Sequence, residues 1–244
     1  MSQHPVIAVT DWKHEVDSMA ERRTTIAVSA VAGNVFLGIA VGLLGYYALT
    51  SGLAFFEQRQ LRGELAPLGA VARAQSSEIA VESGPRLDFE GWEGEDQAYW
   101  ESLPDGGVFG RIVIERMELD AVVVKGAGTE ELKRGPGWID WTQLPGPAGT
   151  FGVAGHRTTY GAPFRDLDTL EEGDVITFLS PYRRYVYIVS GTQIVTPDRG
   201  DVLFPRDEPM LGLSACHPPY SAAYRYIVHA RLAEVRRISD GPEG

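Results

Sequence analysis

The sequence predicts an all-β domain with short helices, a sandwich or barrel, carried behind one membrane-spanning helix. Two observations carry this. From Val108 onward the chain breaks into short Val/Ile/Tyr-rich runs separated by turn residues, the pattern of a sandwich or barrel. Ahead of them, Thr24 to Phe56 holds no charged residue over about 33 positions, where a spanning helix needs about 20.

Taken in order, residues 1–23 read as a cytoplasmic tail and 24–56 as the anchor. A cleavable signal peptide would have an apolar core of about 7–15 residues nearer the start, followed by a small-residue cleavage site, so a retained anchor fits better. Arg22 and Arg23 abut the span, with Lys13 further back, against Arg59 and Arg62 beyond its end. This modest bias favours a cytoplasmic amino terminus and an extracellular remainder. Gly38 and Gly42 form a small-xxx-small pair, which offers an anchor-mediated dimer or is simply the usual glycine content of membrane helices.

Residues 57–107 read as an extracellular linker. Glu57 to Gln75 continues the helix, with a break or kink near Pro67. Ser76 to Gly107 mixes acids, Gly, Pro and Ser, a composition that rarely folds alone. A solvated spacer is favoured over a segment docked through Trp92, Tyr99 and Trp100.

The domain proper spans 108–236, followed by a tail at 237–244. Its expected strands are 109–114, 121–124, 150–154, 174–179, 185–189, 210–215 and 226–232, with helical turns at 130–133 and 164–170. About 130 residues suffice for one core. A net charge of −11 and the lack of a basic stripe exclude nucleic acid as partner. There is no Cys/His cluster with zinc spacing, and no metal or cofactor is expected.

The chemistry centres on Cys216, the only cysteine, in Leu213-Ser214-Ala215-Cys216-His217-Pro218-Pro219. It ends one expected strand, and Arg225 begins the next. His156 follows the run 150–154 and a glycine, so it too belongs at a strand end. Thiol and imidazole supply nucleophile and general acid/base; arginine supplies a planar fork of donors for an oxyanion. Each residue alone reads more readily as packing. His217 is adjacent to the thiol, so on a continuing strand it turns to the opposite face, where it fixes the loop. His229 shares a face with Arg225 by alternation, in the core or behind the site. His4 and His14 precede the anchor and cannot join.

Together these residues resemble the sortases, membrane-anchored cysteine transpeptidases of Gram-positive bacteria, and class E of actinobacteria in particular. Ala154-Gly155-His156-Arg157-Thr158-Thr159-Tyr160-Gly161-Ala162-Pro163-Phe164 matches that class without a break. The cysteine segment and Arg225 match with two substitutions, Ser214 and Ala215, where threonines are usual. Gly135-Pro136-Gly137 and Leu144-Pro145-Gly146 are also similar to the family.

The resemblance implies an eight-stranded sortase-type β-barrel with catalytic Cys216, His156 and Arg225. It further implies cleavage of a client's carboxyl-terminal Leu-Ala-x-Thr-Gly or Leu-Pro-x-Thr-Gly signal between Thr and Gly through a thioacyl intermediate. The acceptor amine would come from a peptidoglycan precursor or a pilin lysine. Arg157, Tyr160, Ala215 and His217 are candidates for substrate binding, with packing roles the alternative. On reference values, thiolate is about 3% and the thiolate–imidazolium pair under about 1% of molecules near pH 7. Competing readings are a membrane-anchored binding module with a degenerate site, and an L,D-transpeptidase. The latter fits poorly because His217-Pro218-Pro219 follows the cysteine.

Overall fold

The structure is a computed structural model that describes residues 11–65, 87–204 and 207–238. It divides into two compact units, Met1–Leu49 and Thr50–Gly244. The expected kink at Pro67, His4 and the tail from 239 lie outside the described residues.

Helix α1 spans Asp11–Leu65. Its stretch Val31–Glu64 is long and apolar enough to cross a membrane by length and composition. In the first unit large apolar side chains such as Phe36 and Leu44 are about 70% exposed (72% and 69%), a surface suited to lipid. The helix runs past the expected boundary at Phe56. Its last turns belong to the second unit, where Leu61 is buried with Val108, Val122, Val124 and Leu179. Gln58 clamps β2 there: its Nε2 donates to the carbonyls of Val122 (3.1 Å) and Arg134 (2.8 Å), and its Oε1 accepts the Val122 N–H (2.8 Å).

The second unit is a closed barrel of eight strands: β1 (Val108–Ile114), β2 (Leu119–Lys125), β3 (Gly137–Trp138), β4 (Thr150–Ala154), β5 (Val175–Leu179), β6 (Arg183–Val195), β7 (Met210–His217) and β8 (Tyr224–Arg237). Their order around the barrel is β1-β2-β3-β4-β7-β8-β6-β5, and β5 closes on β1. Alternation puts Leu211, Leu213 and Ala215 of β7 and Val228 and Ala230 of β8 into a core with Phe109, Phe151 and Phe178. Each such buried apolar side chain stabilises by about 1.5–3 kcal/mol. The seven expected strands are present. The eighth, β3, has two residues, too short to show a period in sequence. Short helices stand at Ala98–Ser102 (α2) and Thr129–Arg134 (α3), with a 3-10 turn at Leu167–Thr169.

One expectation is corrected. Residues 87–107 are not a solvated spacer but pack on the barrel. Trp100 is fully buried, stacks on Phe109 at 5.0 Å, and donates from its indole to the Phe109 carbonyl at 2.7 Å. The acids read as solvating instead hold a buried cation. Arg183 is fully buried and donates to Asp96 (2.5 Å), Glu95 (2.8 Å) and the carbonyls of Asp88 (3.1 Å) and Glu90. Composition missed this because the compensating charge lies about 90 residues away in sequence.

Candidate active site

Register brings three residues together. In the antiparallel β7–β8 pair Cys216 is the direct partner of Arg225. In the parallel β4–β7 pair Ala154 is level with Ser214, and the Gly155 N–H extends that ladder to the Ser214 carbonyl at 3.0 Å. Two residues beyond Ala154, His156 follows the end of β4 and lines the same cavity as Cys216. Cys216 and Arg225 thus stand side by side on β7 and β8, with His156 in the loop that follows the neighbouring strand β4.

All three line one cavity of about 500 Å3, within the usual range for ligand sites. It lies on the face of β7 and β8 opposite the barrel core. Its wall is a separate apolar cluster of Ile139, Val202, Leu203 and Ile227. Val202 and Leu203 come from a 3-10 turn, Gly200–Leu203, between β6 and β7. These residues were not singled out in sequence. Their only signal was the short apolar run Val202-Leu203-Phe204 within a connection rich in charged residues and proline.

The thiol is free and half-buried. Arg225 Nη1 donates to the carbonyls of Ala222 (3.2 Å) and Tyr224 (3.1 Å), which steadies the guanidinium and leaves its Nε and Nη2 without a hydrogen bond among the described residues. Burial holds His156 below the ordinary histidine value of 6.5, since desolvation penalises the imidazolium. Its ring lies 5.2 Å from that of Tyr160. The loop behind it is pinned by Phe164, fully buried in the core, whose N–H donates to the His156 carbonyl at 3.0 Å. Gly155 is needed here: a Cβ would lie 2.7 Å from the Phe164 ring.

Of the candidate substrate contacts, Ala215 borders the cavity, although its methyl packs in the barrel core and it is 3% exposed. Arg157, Tyr160 and His217 are not among the lining residues. Arg157 is 4% exposed. Its Nη2 pairs with Asp168 at 2.5 Å, its Nε donates to the Arg165 carbonyl at 3.1 Å, and its Nη1 donates to His217 Nδ1 at 2.9 Å. A guanidinium only donates, so His217 Nδ1 is the acceptor and Nε2 carries the proton. His217 also lies 5.7 Å from the Tyr226 ring, on the face away from the thiol. Of the two residues that depart from the class pattern, Ser214 therefore faces the cavity and Ala215 the core. His229 meets Gln193 at 2.6 Å, away from the thiol cavity. No group of three or more metal-binding side chains occurs among the described residues.

A closed β-barrel with a cysteine and an arginine paired on neighbouring strands, and a histidine just beyond a third, defines a class of thiol-bearing barrel proteins. The chain belongs to the sortase family, whose Sortase domain matches residues 112–233. It is 36% identical over 103 residues to Sortase SrtE1 of Streptomyces coelicolor, covering 38% of this chain and 29% of that protein. It is 30% identical over 132 residues to Sortase A of Bacillus anthracis, covering 54% of this chain and 62% of that protein. The matched regions thus span less than two thirds of these relatives. Among solved structures, Sortase E1 from Streptomyces coelicolor with a tripeptide in the active site superposes with a TM-score of 0.53 at 29% identity. That match covers 57% of this chain and 96% of the other. Sortase E from Streptomyces avermitilis gives 0.52 at 31% identity, covering 58% and 98%.

Proposed function

We propose that this chain is a class E sortase, a cysteine transpeptidase that cuts a client's carboxyl-terminal sorting signal between Thr and Gly and passes the client to an amine. The observation that carries this is the pairing of Cys216 with Arg225, with His156 lining the same apolar-walled cavity. Similarity to two curated class E enzymes, SrtE1 and SrtE2 of Streptomyces coelicolor, supports the class. The tripeptide in the active site of the related Sortase E1 supports a peptide ligand.

The steps follow from the chemistry of the three groups. The Cys216 thiolate attacks the threonine carbonyl carbon, and Arg225 donates to the oxyanion that develops. His156 gives its proton to the departing glycine nitrogen as the C–N bond breaks, leaving a thioacyl enzyme. An incoming amine attacks the same carbonyl and His156 takes its proton. The S–C bond then breaks and the thiolate returns. Ile227, Val202 and Leu203 offer the apolar residues of a Leu-Ala-x-Thr-Gly or Leu-Pro-x-Thr-Gly signal a dry wall. The amine would belong to a peptidoglycan precursor or a pilin lysine. Helix α1 would anchor the protein in the cell membrane with its amino terminus cytoplasmic, as Arg22 and Arg23 favour, and the barrel would work outside.

Incubation with peptides carrying either signal, followed by mass spectrometry, tests this. A thioacyl adduct on Cys216, absent in Cys216→Ala, is the expected result. No adduct and no cleavage with either peptide would overturn the reading in favour of a binding module.

A further inference from the structure

We propose that a second cleft beside the thiol cavity recognises a cationic group flanking the acceptor amine. This deepens the transpeptidase reading and rests on it. The cleft, about 590 Å3, lies between the docked segment carrying Trp92 and Glu101 and the loop from β3 to β4. Trp92, Trp138 and Leu144 form its walls. The indole N–H of Trp92 is spent on the Pro145 carbonyl (2.9 Å) and that of Trp138 on the Gln143 carbonyl (3.2 Å). What the rings offer a ligand is therefore π surface rather than donors.

The charges select the ligand. Glu101 and Asp140 line the cleft, are exposed, and form no ion pair among the described residues. Glu101 accepts only a neutral amide hydrogen bond, from Gln97 at 2.8 Å, so its charge stays uncompensated. The one basic residue in the lining, Lys125, is held by the backbone rather than by either carboxylate: its Nζ donates to the carbonyls of Trp100 (3.0 Å) and Leu103 (2.7 Å). Aromatic surface beside unpaired carboxylates is the chemistry that holds an ammonium or guanidinium. A neutral sugar can stack on the rings and donate hydroxyls to the carboxylates, but only a cation also forms ion pairs with them.

Position links the cleft to the reaction. Asp140 lines both this cleft and the thiol cavity. An acceptor whose amine reaches Cys216 thus has its neighbouring residues led across Asp140 toward the tryptophans. The occupant is an acceptor segment with a lysine- or arginine-type cation near its reactive amine.

The test uses the full chain in detergent and whichever signal peptide it cleaves, with two acceptors, Gly-Gly-Gly-Lys-Lys-Lys and Gly-Gly-Gly-Gln-Gln-Gln. The readout is the ratio of their KM values, in which a general loss of activity cancels. The wild type should favour the lysine acceptor by about fivefold, the size of one cation–π contact plus an exposed charge pair. Glu101→Gln with Asp140→Asn should bring the ratio close to one. Glu118→Gln with Glu172→Gln, which removes two exposed acids elsewhere, should leave it unchanged. A wild-type ratio of one, a preference surviving in the cleft variant, or an equal loss in the control would overturn the subsite. A wild type that forms no thioacyl adduct would instead remove the transpeptidase reading beneath it.

Discussion

Cys216 and Arg225 are direct register partners across β7 and β8. Their side chains therefore leave the same face of the sheet at the same level; in the proposed reaction a carbonyl attacked by the thiol would develop its oxyanion beside the guanidinium. Replacing Arg225 with Lys keeps the charge and loses the fork of donors. We expect kcat/KM to fall about a hundredfold or more, the usual cost of one oxyanion donor, with the fold intact by circular dichroism. Turnover within about threefold of wild type would show that the fork has no such role.

Burial lowers the His156 pKa below 6.5. A direct NMR titration of the imidazole should therefore give a midpoint under that value. Stability follows with a definite sign. The unfolded chain takes up the proton first as pH falls, so this group's contribution is complete above pH 6.5 and is lost as pH falls through the lower folded value. His156→Gln should flatten that part of the stability curve; an unchanged slope would place its origin elsewhere.

We expect Arg157 to act through position rather than substrate contact, since it is buried and does not line the thiol cavity. Removing its charge in Arg157→Gln breaks the pair with Asp168 and the hydrogen bond to His217. Because Asp168 is 43% exposed, the loss should be moderate, about 1–3 kcal/mol, with kcat reduced more than KM. A raised KM at unchanged thermal stability would point to substrate contact after all.

Besides Trp100, one fully buried ion pair helps hold the docked segment on the barrel. The side chains of Asp96 and Arg183 are both fully buried. Asp96→Ala should cost about 3 kcal/mol, since Glu95 remains to share the guanidinium, and should expose residues 87–102 to proteolysis. A melting temperature within a degree of wild type would contradict this.

Gly155 tests how closely the histidine loop is packed. Gly155→Ala puts a methyl into the Phe164 ring, an overpacking that typically costs about 1–3 kcal/mol. Because the next residue is His156, activity should fall further than stability. Wild-type activity would mean that the loop yields without moving the imidazole.

Much was legible in the sequence by itself. The uncharged run marked a helix able to cross a membrane, and period-two runs marked seven strands, because both signals are local and repeat within a few residues. Cys216 and Arg225 could be placed at one end of a strand pair for the same reason: one loop separates them, and alternation assigns their faces. Alternation also turned His217 away from the thiol, and the structure finds it there, accepting from Arg157.

Tertiary structure decided what depends on distant partners. The parallel β4–β7 pairing, about 60 residues apart in sequence, brings the loop that carries His156 to the cavity that Cys216 lines. The Val202–Leu203 turn became a cavity wall only by packing on Ile139 and Ile227. Asp96 and Glu95 read as solvated because a local window cannot see Arg183, the buried cation they pair with. Local pattern reports which groups a chain offers; only closure of the barrel determines which of them meet.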